Sequence, residues 1–354
     1  MIKTTKTMEL ANVVTHGGVF HADEVLATVI LSKVLGDITV LRTFKVPECL
    51  ADDVIVYDIG FGRFDHHQKG GNGARENGVP YAAVGLIWKE YGHKLVEDTV
   101  NPELVWSLID RDLIQGVDAT DNGAMPKSGS IAHNMSFSNI ISSFNPTWDC
   151  AEDPDEAFIK AVEFAETVFE NTLKNATAKA KAQKIVEEAI EKSQEHIMIL
   201  DRFVPWQEVI FSSENAKASE VLFVVFPSNR GGYNWQCVPE ALGSFGQRKP
   251  VPSEWKGLSG ENIQMVTGVP TAKFCHPAGF IGGAETFEGA YALAKLAVEA
   301  RGWISSMKKQ DISIEIPVFL IIYILDNLMI MIKMINFTYY ITRAIIYLQH
   351  KYVL

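Results

Sequence analysis

Short apolar segments alternate with segments of helical periodicity along the first part of the chain. Leu10–Thr15, Ile38–Phe44 and Val54–Ile59 are apolar and β-prone, as expected for buried strands. Between them, Glu24–Leu35 repeats its apolar residues at helical spacing, and Ala82–Tyr91 does so further along. Strands that alternate with helices predict a mostly parallel sheet, whose ligand site lies beyond the carboxyl ends of the strands.

A different pattern begins near Pro154. Asp155–Glu195 is rich in Ala, Glu and Lys and contains neither proline nor glycine, which predicts one long helix. Val221–Phe226 and Tyr233–Val238 then have the character of strands in another sheet. The predicted fold class is α/β with two domains: an N-terminal, mostly parallel sheet flanked by helices, a long helical connector and a smaller α/β C-terminal domain.

These changes of pattern divide the chain into four predicted segments, which are an N-terminal domain (10–150), a helical connector (151–195), a C-terminal domain (196–305) and an atypical hydrophobic tail (306–354). In the tail, Pro317–Ile335 is apolar enough to suggest a membrane helix. Asp326 would then lie near the centre of the bilayer, where a charge is costly. A membrane span is therefore the less favoured alternative to an atypical extension.

Composition limits the classes of partner. Hydrophobic residues make up 47% of the chain and charged residues 21%, which is ordinary for a soluble globular protein. The formal net charge of −11 argues against a broad surface that binds duplex nucleic acid through its phosphates. A phosphodiester substrate stays compatible with this charge, because bound dications reverse the local field.

Cysteine usage indicates a reducing compartment. None of Cys49, Cys150, Cys237 and Cys275 forms a CxxC pair, so free thiols are expected rather than a disulfide framework. The first ten residues contain no apolar run long enough for a secretory signal. We expect a soluble intracellular protein, and the sequence does not choose between cytoplasm, nucleus and mitochondria.

Histidines and acidic residues cluster after the predicted strands and helices. Imidazole and carboxylate ligands together suit Mn, Fe, Zn or Co. Two such ions about 3.5–4 Å apart can clamp a phosphate and activate a water molecule. The pattern therefore predicts a metal-dependent phosphoesterase. The candidate ligands are His16, His21, Asp23, Glu24, Asp58, Asp65, His66, His67, Asp118 and Asp121.

Some of these residues also fit simpler roles. Asp65 could cap a turn and Asp58 the end of a strand, and an isolated histidine such as His93 is usually a surface residue. Two consecutive histidines after an aspartate are harder to explain in this way. Adjacent side chains of an extended segment point in opposite directions, so His66 and His67 are expected to have distinct tasks.

Four segments resemble, in the expected order, the MYG (melanocyte-proliferating gene) exonuclease family, a branch of the DHH-type phosphoesterases. They are Thr15–Glu24 (THGGVFHADE), Val56–Gly60 (VYDIG), Phe64–Gln68 (FDHHQ) and Val117–Gly123 (VDATDNG). The likeness continues through Asn145–Trp148, Trp235–Pro239, Gly279–Gly283 and Glu288–Ala290, and covers about residues 10–302. It implies a metal-binding catalytic domain followed by a domain that clamps the substrate.

The resemblance also implies a role for each residue of the cluster. Two divalent ions are expected, with Mn²⁺ favoured and Mg²⁺ or Co²⁺ as alternatives. Asp58 would bridge the ions, and His67, with Asp65 beside it, would face the scissile phosphate. Many DHH-type relatives have an aspartate in the position of His21, which leaves the metal choice open. The implied ligands are His16 and His21 for one ion, Asp23 and His66 for the other, and either Asp118, slightly favoured, or Asp121 to complete the set.

In the C-terminal domain, the resemblance points to phosphate contacts. The backbone N–H groups of a glycine-rich turn can approach a phosphate, although glycines before a helix often form only a turn. Ala284 stands where many relatives carry a histidine, which weakens the transfer of that role. The candidate substrate contacts are Arg248, His276, Gly279, Gly282 and Gly283, with Trp235 and Phe245 as candidates for stacking on bases.

The function implied by the resemblance is 3′–5′ exonuclease activity on single-stranded RNA. Relatives also cleave short oligonucleotides, cyclic dinucleotides or pyrophosphate, and these substrates form the main alternative. A catalytically inactive metal-binding regulatory protein is the alternative from another class. The sequence leaves the oligomeric state open.

Overall fold

The computed structural model of the chain describes residues 1–125 and 135–300, and within these ranges it contains two β-sheets. In the first sheet every paired strand is parallel, in the order β1-β3-β2-β4. This arrangement confirms the predicted α/β class with a mostly parallel first sheet. The strands are β1 (Ile2–Thr5), β2 (Val13–His16), β3 (Ile38–Thr43) and β4 (Ile55–Val56).

Helices pack around this sheet. The first helix, α1 (Ala22–Leu35), is buried on all sides from Ala22 to Ser32 because it contacts α2 and α6 as well as the sheet. It ends at Gly36, whose φ of 83° is accessible mainly to glycine. The other helices of this region are α2 (Ala83–Tyr91), α3 (Pro102–Ile109), a π-helical turn (Asp110–Ile114), α4 (Gln115–Asp121) and α5 (Phe137–Ser142).

The long helix α6 (Pro154–Glu191) contributes to two hydrophobic cores. Asp153 caps its N-terminus by accepting a hydrogen bond from Asp155 N–H at 2.9 Å, and Pro154 occupies the first helical position. Phe158 belongs to the core beneath the first sheet, whereas Val186 belongs to a core beside the second sheet. The helix therefore joins the two regions, and the residues up to Val298 form one compact unit.

The second sheet is mostly antiparallel, in the order β5-β6-β7-β9-β8, with β5 and β6 as its parallel pair. Its core includes the fully buried ring of Trp235, which packs edge-on against Phe223 and Trp255. The elements of this region are β5 (Ile197–Ile199), α7 (Gln207–Ser212), α8 (Lys217–Glu220), β6 (Phe223–Pro227), β7 (Tyr233–Cys237), α9 (Glu261–Thr267), β8 (Ala272–Cys275), β9 (Ile281–Ala284) and α10 (Phe287–Glu299).

Two local features differ from the sequence expectation. The edge strand β1 was not expected, because Ile2–Thr5 has only one apolar residue and therefore no apolar periodicity. The strand expected over Val54–Ile59 is reduced to β4, since the chain leaves the sheet at Asp58, where φ is 56°.

The predicted tail, 306–354, with its apolar stretch Pro317–Ile335, lies outside the described residues. Within the described ranges, the helices are too short or too polar to cross a membrane.

Candidate metal centre

The candidate site lies at the carboxyl edge of the parallel sheet. His16 is the last residue of β2, and Asp58 follows β4, which pairs with β2. The turn after β2 leads into α1, whose first residues include Asp23 and Glu24. His66 reaches the same edge from the loop after β4. Because parallel strands end on one side of a sheet, residues distant in sequence meet here.

Asp58 lies between two imidazoles. Its Oδ2 is 3.3 Å from Nε2 of His16, and its Oδ1 is 3.3 Å from Nε2 of His66. The side chain is buried, and with a φ of 56° the backbone leaves the extended conformation at this residue. One carboxylate oxygen therefore faces each histidine, which is the arrangement a bridging ligand requires.

The first group of potential ligands lies on the His16 side. Glu24 is fully buried, and its Oε1 lies 2.9 Å from Nε2 of His16 while accepting a hydrogen bond of 2.9 Å from His21 N–H. The His21 side chain is 57% exposed, so it borders the cavity rather than the core. A ligand atom from each of these three residues lies within 4.8 Å of the others.

The second group lies on the His66 side. Nε2 of His66 is 3.1 Å from Oδ2 of Asp121 and 3.9 Å from Oδ2 of Asp23. Its Nδ1 lies 3.3 Å from Oδ1 of Asn122, which orients the ring. Candidate ligand sets with mutual distances within 4.8 Å are Asp23, His66 and Asp121, and also Asp58, His66 and His67.

The donor atoms fit divalent cations. Among the described residues, Oδ1 of Asp58, Nε2 of His66 and Oε2 of Glu24 are buried without a hydrogen-bond partner, although carboxylates and imidazoles lie close together. Buried polar atoms in folded proteins are rarely left in this state. A cation would satisfy these atoms at once and would offset the repulsion between the acidic groups.

The shifted pKa values of the site residues also indicate a place for a cation. Burial acts to lower the pKa of both histidines, but the close carboxylates raise the pKa of His16 and of His66 to about 11. Burial acts to raise the pKa of Asp58, but the two imidazoles lower it below its ordinary value. Burial and the charge of Asp58 raise the pKa of Asp23. Protons therefore occupy positions that a metal ion would take.

Asp65 and His67 form a separate pair at the edge of the site. Oδ1 of Asp65 lies 2.7 Å from Nδ1 of His67, while Oδ2 accepts a hydrogen bond of 2.6 Å from Phe61 N–H. Burial acts to raise the pKa of Asp65, but these hydrogen bonds lower it, so the carboxylate is ionised at neutral pH. The His67 ring is 54% exposed and lines the cavity, which lets its other nitrogen meet a substrate.

The carboxylate of Asp118 is engaged elsewhere. Its Oδ1 accepts hydrogen bonds of 3.0 Å from Ala82 N–H and Gly85 N–H, and its Oδ2 lies 2.7 Å from Arg75 Nη1. A Cβ atom on Gly85 would lie 2.0 Å from Oδ2, so a glycine is required at this position. Arg75 also donates to both oxygens of Asp110. Asp118 thus holds the N-terminus of α2, while Asp121 lies beside His66.

Asp23 contacts both the N-terminus of α2 and His66. It accepts hydrogen bonds of 2.9 Å from Ala83 N–H and 2.7 Å from Val84 N–H, so it also contacts the N-terminus of α2. The oxygen that accepts from Ala83 is the one that lies 3.9 Å from His66.

The candidate substrate contacts from the region of the second sheet lie outside the described lining of the metal-site cavity. Arg248 Nη1 donates to the carbonyl oxygens of Ala218, Ser219 and Val221 at 2.7–3.3 Å, so it stabilises a turn. His276 is exposed, and its Nδ1 accepts a hydrogen bond of 3.1 Å from Ala278 N–H. His276 and Gly283 line a separate cavity of about 600 Å³.

Glycines and aromatic residues of this region have mainly structural positions. Gly279 N–H donates to His276 O at 2.8 Å, and Gly282 and Gly283 belong to β9, between β7 and β8. Trp235 is fully buried, so the idea that it stacks on bases is wrong. Phe245 is fully exposed but does not line the described cavity.

Two residues of the site, Asn122 and Arg75, received no role from the sequence. Glu24 was a candidate ligand there but was given no place at either ion, and its spacing of three residues from His21 is the signal of a helix N-terminus. Asn122 follows Asp121 directly and could have been considered as a partner of a ligand histidine. Arg75 lies in a glycine-rich segment, and its ion pairs depend on contacts that sequence spacing does not reveal.

A parallel α/β sheet with adjacent histidine and carboxylate groups at its carboxyl edge defines a candidate metallohydrolase. The chain belongs to the MYG1 exonuclease family: the family model MYG1_exonuc, described as "Uncharacterised protein family (UPF0160)", matches residues 12–298. The family match confirms two predictions from the sequence, which are membership of this family and an enzymatic function.

Relatives in distant eukaryotes match most of the chain. The "MYG1 exonuclease" of Homo sapiens is 31% identical over 337 residues, which cover 85% of this chain and 89% of that protein. The "MYG1 protein YER156C" of Saccharomyces cerevisiae is 31% identical over 320 residues, 80% of this chain and 94% of its own length. No solved structure gave a significant match.

Proposed function

We propose that this protein is a divalent-metal-dependent nuclease that removes nucleotides from the 3′ end of single-stranded RNA. The observation that carries the proposal is the position of Asp58, with one oxygen facing His16 and the other facing His66. Relatives named exonuclease support the reaction class. The RNA preference and the 3′ polarity rest on the resemblance noted in the sequence.

Two ions, with Mn²⁺ favoured, are proposed to bind on the two sides of Asp58. When bound, such ions supply positive charge to a phosphate and lower the pKa of the attacking water. We assign Asp121 rather than Asp118 to the set, because Asp121 lies 3.1 Å from Nε2 of His66, whereas Asp118 is paired with the cation of Arg75. The proposed ligands are His16, His21 and Glu24 on one side, Asp23, His66 and Asp121 on the other, and Asp58 between them.

His67 is proposed to act on the scissile phosphodiester. The buried carboxylate of Asp65 accepts a hydrogen bond from Nδ1–H of His67 and fixes the ring, which leaves Nε2 for the substrate. A protonated Nε2 would donate to the 3′ oxygen that leaves when the terminal nucleotide is released. Asp65 thus orients His67 and keeps its charge near the imidazolium.

The dimensions of the site favour a nucleotide over a smaller phosphate. The cavity that contains His16, Asp58 and His67 has a volume of about 850 Å³. Ligand cavities of roughly 300–1,000 Å³ hold molecules of nucleotide size, whereas pyrophosphate alone would fill a small part of this space. Cyclic dinucleotides and short oligonucleotides also fit this volume, and the experiment below tests them as alternative substrates.

The test is digestion of single-stranded RNA, labelled at its 3′ or 5′ end, in Mn²⁺. Wild type is compared with Asp58→Ala and with Asp52→Ala, whose side chain is exposed on the loop before β4. We expect stepwise shortening from the 3′ end by wild type and Asp52→Ala, and none by Asp58→Ala.

Other outcomes would overturn separate parts of the proposal. Intact RNA together with hydrolysis of pyrophosphate or a cyclic dinucleotide would remove the substrate assignment. Shortening from the 5′ end would reverse the polarity. An absence of cleavage with Mn²⁺, Mg²⁺ and Co²⁺ would favour a metal-binding regulatory protein.

A further inference from the structure

Two exposed phenyl rings border the metal-site cavity. Phe44 is 85% exposed and Phe61 is 69% exposed, and both line the same cavity as His16, Asp58 and His67. Exposed aromatic rings also occur elsewhere, since Trp148 is 97% exposed. Exposure alone therefore says little, and the position of the two rings carries the argument.

Phe44 is attached to the metal site through the backbone. It follows the last residue of β3, and Gly17, which follows His16, donates a hydrogen bond of 2.8 Å to Thr43 O. A Cβ atom on Gly18 would lie 3.1 Å from the Phe44 ring, so the ring rests against the glycine backbone of the His16 turn. The ring is thus held beside a candidate ligand although most of its surface meets solvent.

Phe61 is held in a strained conformation. Its φ of 58° is uncommon for a bulky side chain, and such residues persist only where their surroundings fix them. Asp65 fixes this one, because its Oδ2 accepts from Phe61 N–H while its Oδ1 contacts His67. One carboxylate therefore positions both the exposed ring of Phe61 and the candidate catalytic histidine.

The charged side chains of the cavity wall do not favour a nucleic-acid chain by themselves. Among the described residues, its lining contains no lysine or arginine, while Asp58, Asp65 and Asp121 add negative charge. Bound ions can hold the phosphate, but they do not contact the base. Aromatic faces can, since a base stacks on a phenyl ring whatever its sequence.

We propose that Phe44 and Phe61 form a stacking site for the terminal nucleobase of a nucleic-acid substrate. This inference rests on the proposed nuclease function and deepens it: the site would select a nucleoside-bearing phosphodiester over an inorganic phosphate and would tolerate any base. Because the rings contact the base rather than the reacting atoms, their loss weakens binding more than it slows the chemical step.

The kinetic test compares two RNA oligonucleotides, one with a normal 3′-terminal nucleotide and one whose terminal nucleotide is abasic. For Phe44→Ala and Phe61→Ala we expect KM on the normal oligonucleotide to rise about 5- to 150-fold, the range that corresponds to the loss of one stacking contact. KM on the abasic oligonucleotide should stay within about twofold of wild type. Phe44→Leu and Phe61→Leu keep apolar bulk and test whether a planar ring is needed.

A binding test separates this inference from the nuclease proposal. An oligonucleotide with 2-aminopurine at its 3′ end is mixed with protein in Ca²⁺, and stacking is read as fluorescence quenching without need of turnover. Wild type and Trp148→Ala, a control whose ring is 97% exposed and does not line the cavity, should quench, and the two cavity variants should not. Equal quenching by all variants, or equal KM changes on both oligonucleotides, would overturn the stacking site even if RNA is cleaved. Cleavage failure with intact quenching would overturn the nuclease proposal instead.

Discussion

The region around the parallel sheet buries charge, whereas the region around the second sheet buries apolar groups. Among the described residues, every buried polar or charged side chain lies at or before Asp155. The second region instead buries side chains such as Trp235, Trp255 and Cys237. Since a buried carboxylate is costly unless a partner compensates it, the first region must contain partners that the second does not need.

The buried charges of the first region are of two kinds. Arg42 pairs with Asp155 at 3.0 Å and lies 4.5 Å from the centre of the Phe158 ring, so this ion is paired within the protein. Asp58 and His66, in contrast, belong with His67 to a set of carboxylate and imidazole groups whose ligand atoms lie within 4.8 Å of one another. Buried charge alone therefore does not identify a functional site, but several adjacent buried groups that can each bind a metal ion do indicate one.

The largest expected effect follows from Asp58→Asn. The amide lacks the negative charge that faces both histidines, so we expect metal content to fall and nuclease activity to drop by at least about 10³-fold, equivalent to about 4 kcal/mol. Metal analysis of the purified protein and initial rates on RNA measure this effect. Asp52→Asn on the exposed loop is the matched control. Retained metal and activity in Asp58→Asn would contradict the bridging role.

Asp118→Asn and Asp121→Asn should separate structural charge from metal-binding charge. Asp118→Asn weakens the ion pair with Arg75 and should cost about 2–3 kcal/mol in the free energy of unfolding. Asp121→Asn should change stability by less than about 1 kcal/mol but weaken Mn²⁺ binding about 10- to 100-fold. Denaturant melts and calorimetric titrations test both. The reverse pattern would make Asp118 the ligand.

The pH dependence tests whether protons and metal compete. The pKa values of His16 and His66, raised to about 11, mean that metal-free protein keeps both protons at neutral pH. Stability from these protons is complete below about pH 6.5 and is lost as pH rises towards 11, because only the folded chain binds them in that window. Unfolding free energy of the metal-free protein should therefore fall with pH.

The apparent affinity for Mn²⁺ should instead rise with pH. Each proton that Mn²⁺ displaces raises its apparent affinity by up to about tenfold per pH unit. Calorimetry at pH 6.5 and 7.5 in buffers of different ionisation enthalpy measures both affinity and proton release. His93→Gln, on a half-exposed histidine, should leave the slope unchanged. An affinity independent of pH would refute the competition.

The smallest effect concerns the second region. Arg248→Met removes the hydrogen bonds to the carbonyls of Ala218 and Val221 and should lower the free energy of unfolding by about 1–2 kcal/mol. KM for RNA should stay within about twofold, because this arginine faces the protein's own backbone. Arg202→Met, on an exposed arginine, is the control. A large rise in KM with unchanged stability would restore the phosphate-binding role expected from the sequence.

The sequence predicted the elements that position the site because their periodicity is strong. The helix expected over Glu24–Leu35 is α1, and the strand expected over Ile38–Phe44 is β3. Parallel pairing then brings His16 and Asp58 to one edge of the sheet, as the rule on strand ends predicts. The edge strand β1 lacks such periodicity, and it was missed.

The choice between Asp118 and Asp121 could not be made from the sequence. The two residues are three positions apart on one helix, so both can reach the same surroundings. What distinguishes them is Arg75, which pairs with Asp118 through a loop whose path the sequence does not specify. Arg248 illustrates the same limit, because backbone carbonyls that accept from a cation leave no signal in the sequence.

The central claim is that Asp58 joins two metal sites, and electron paramagnetic resonance of Mn²⁺-loaded protein tests it most directly. Two ions that share a carboxylate are magnetically coupled, so we predict two Mn²⁺ per chain with the spectrum of a coupled pair. Asp58→Asn should lose that coupling. A single uncoupled Mn²⁺ in the wild type, or a coupled pair that persists in Asp58→Asn, would contradict the account.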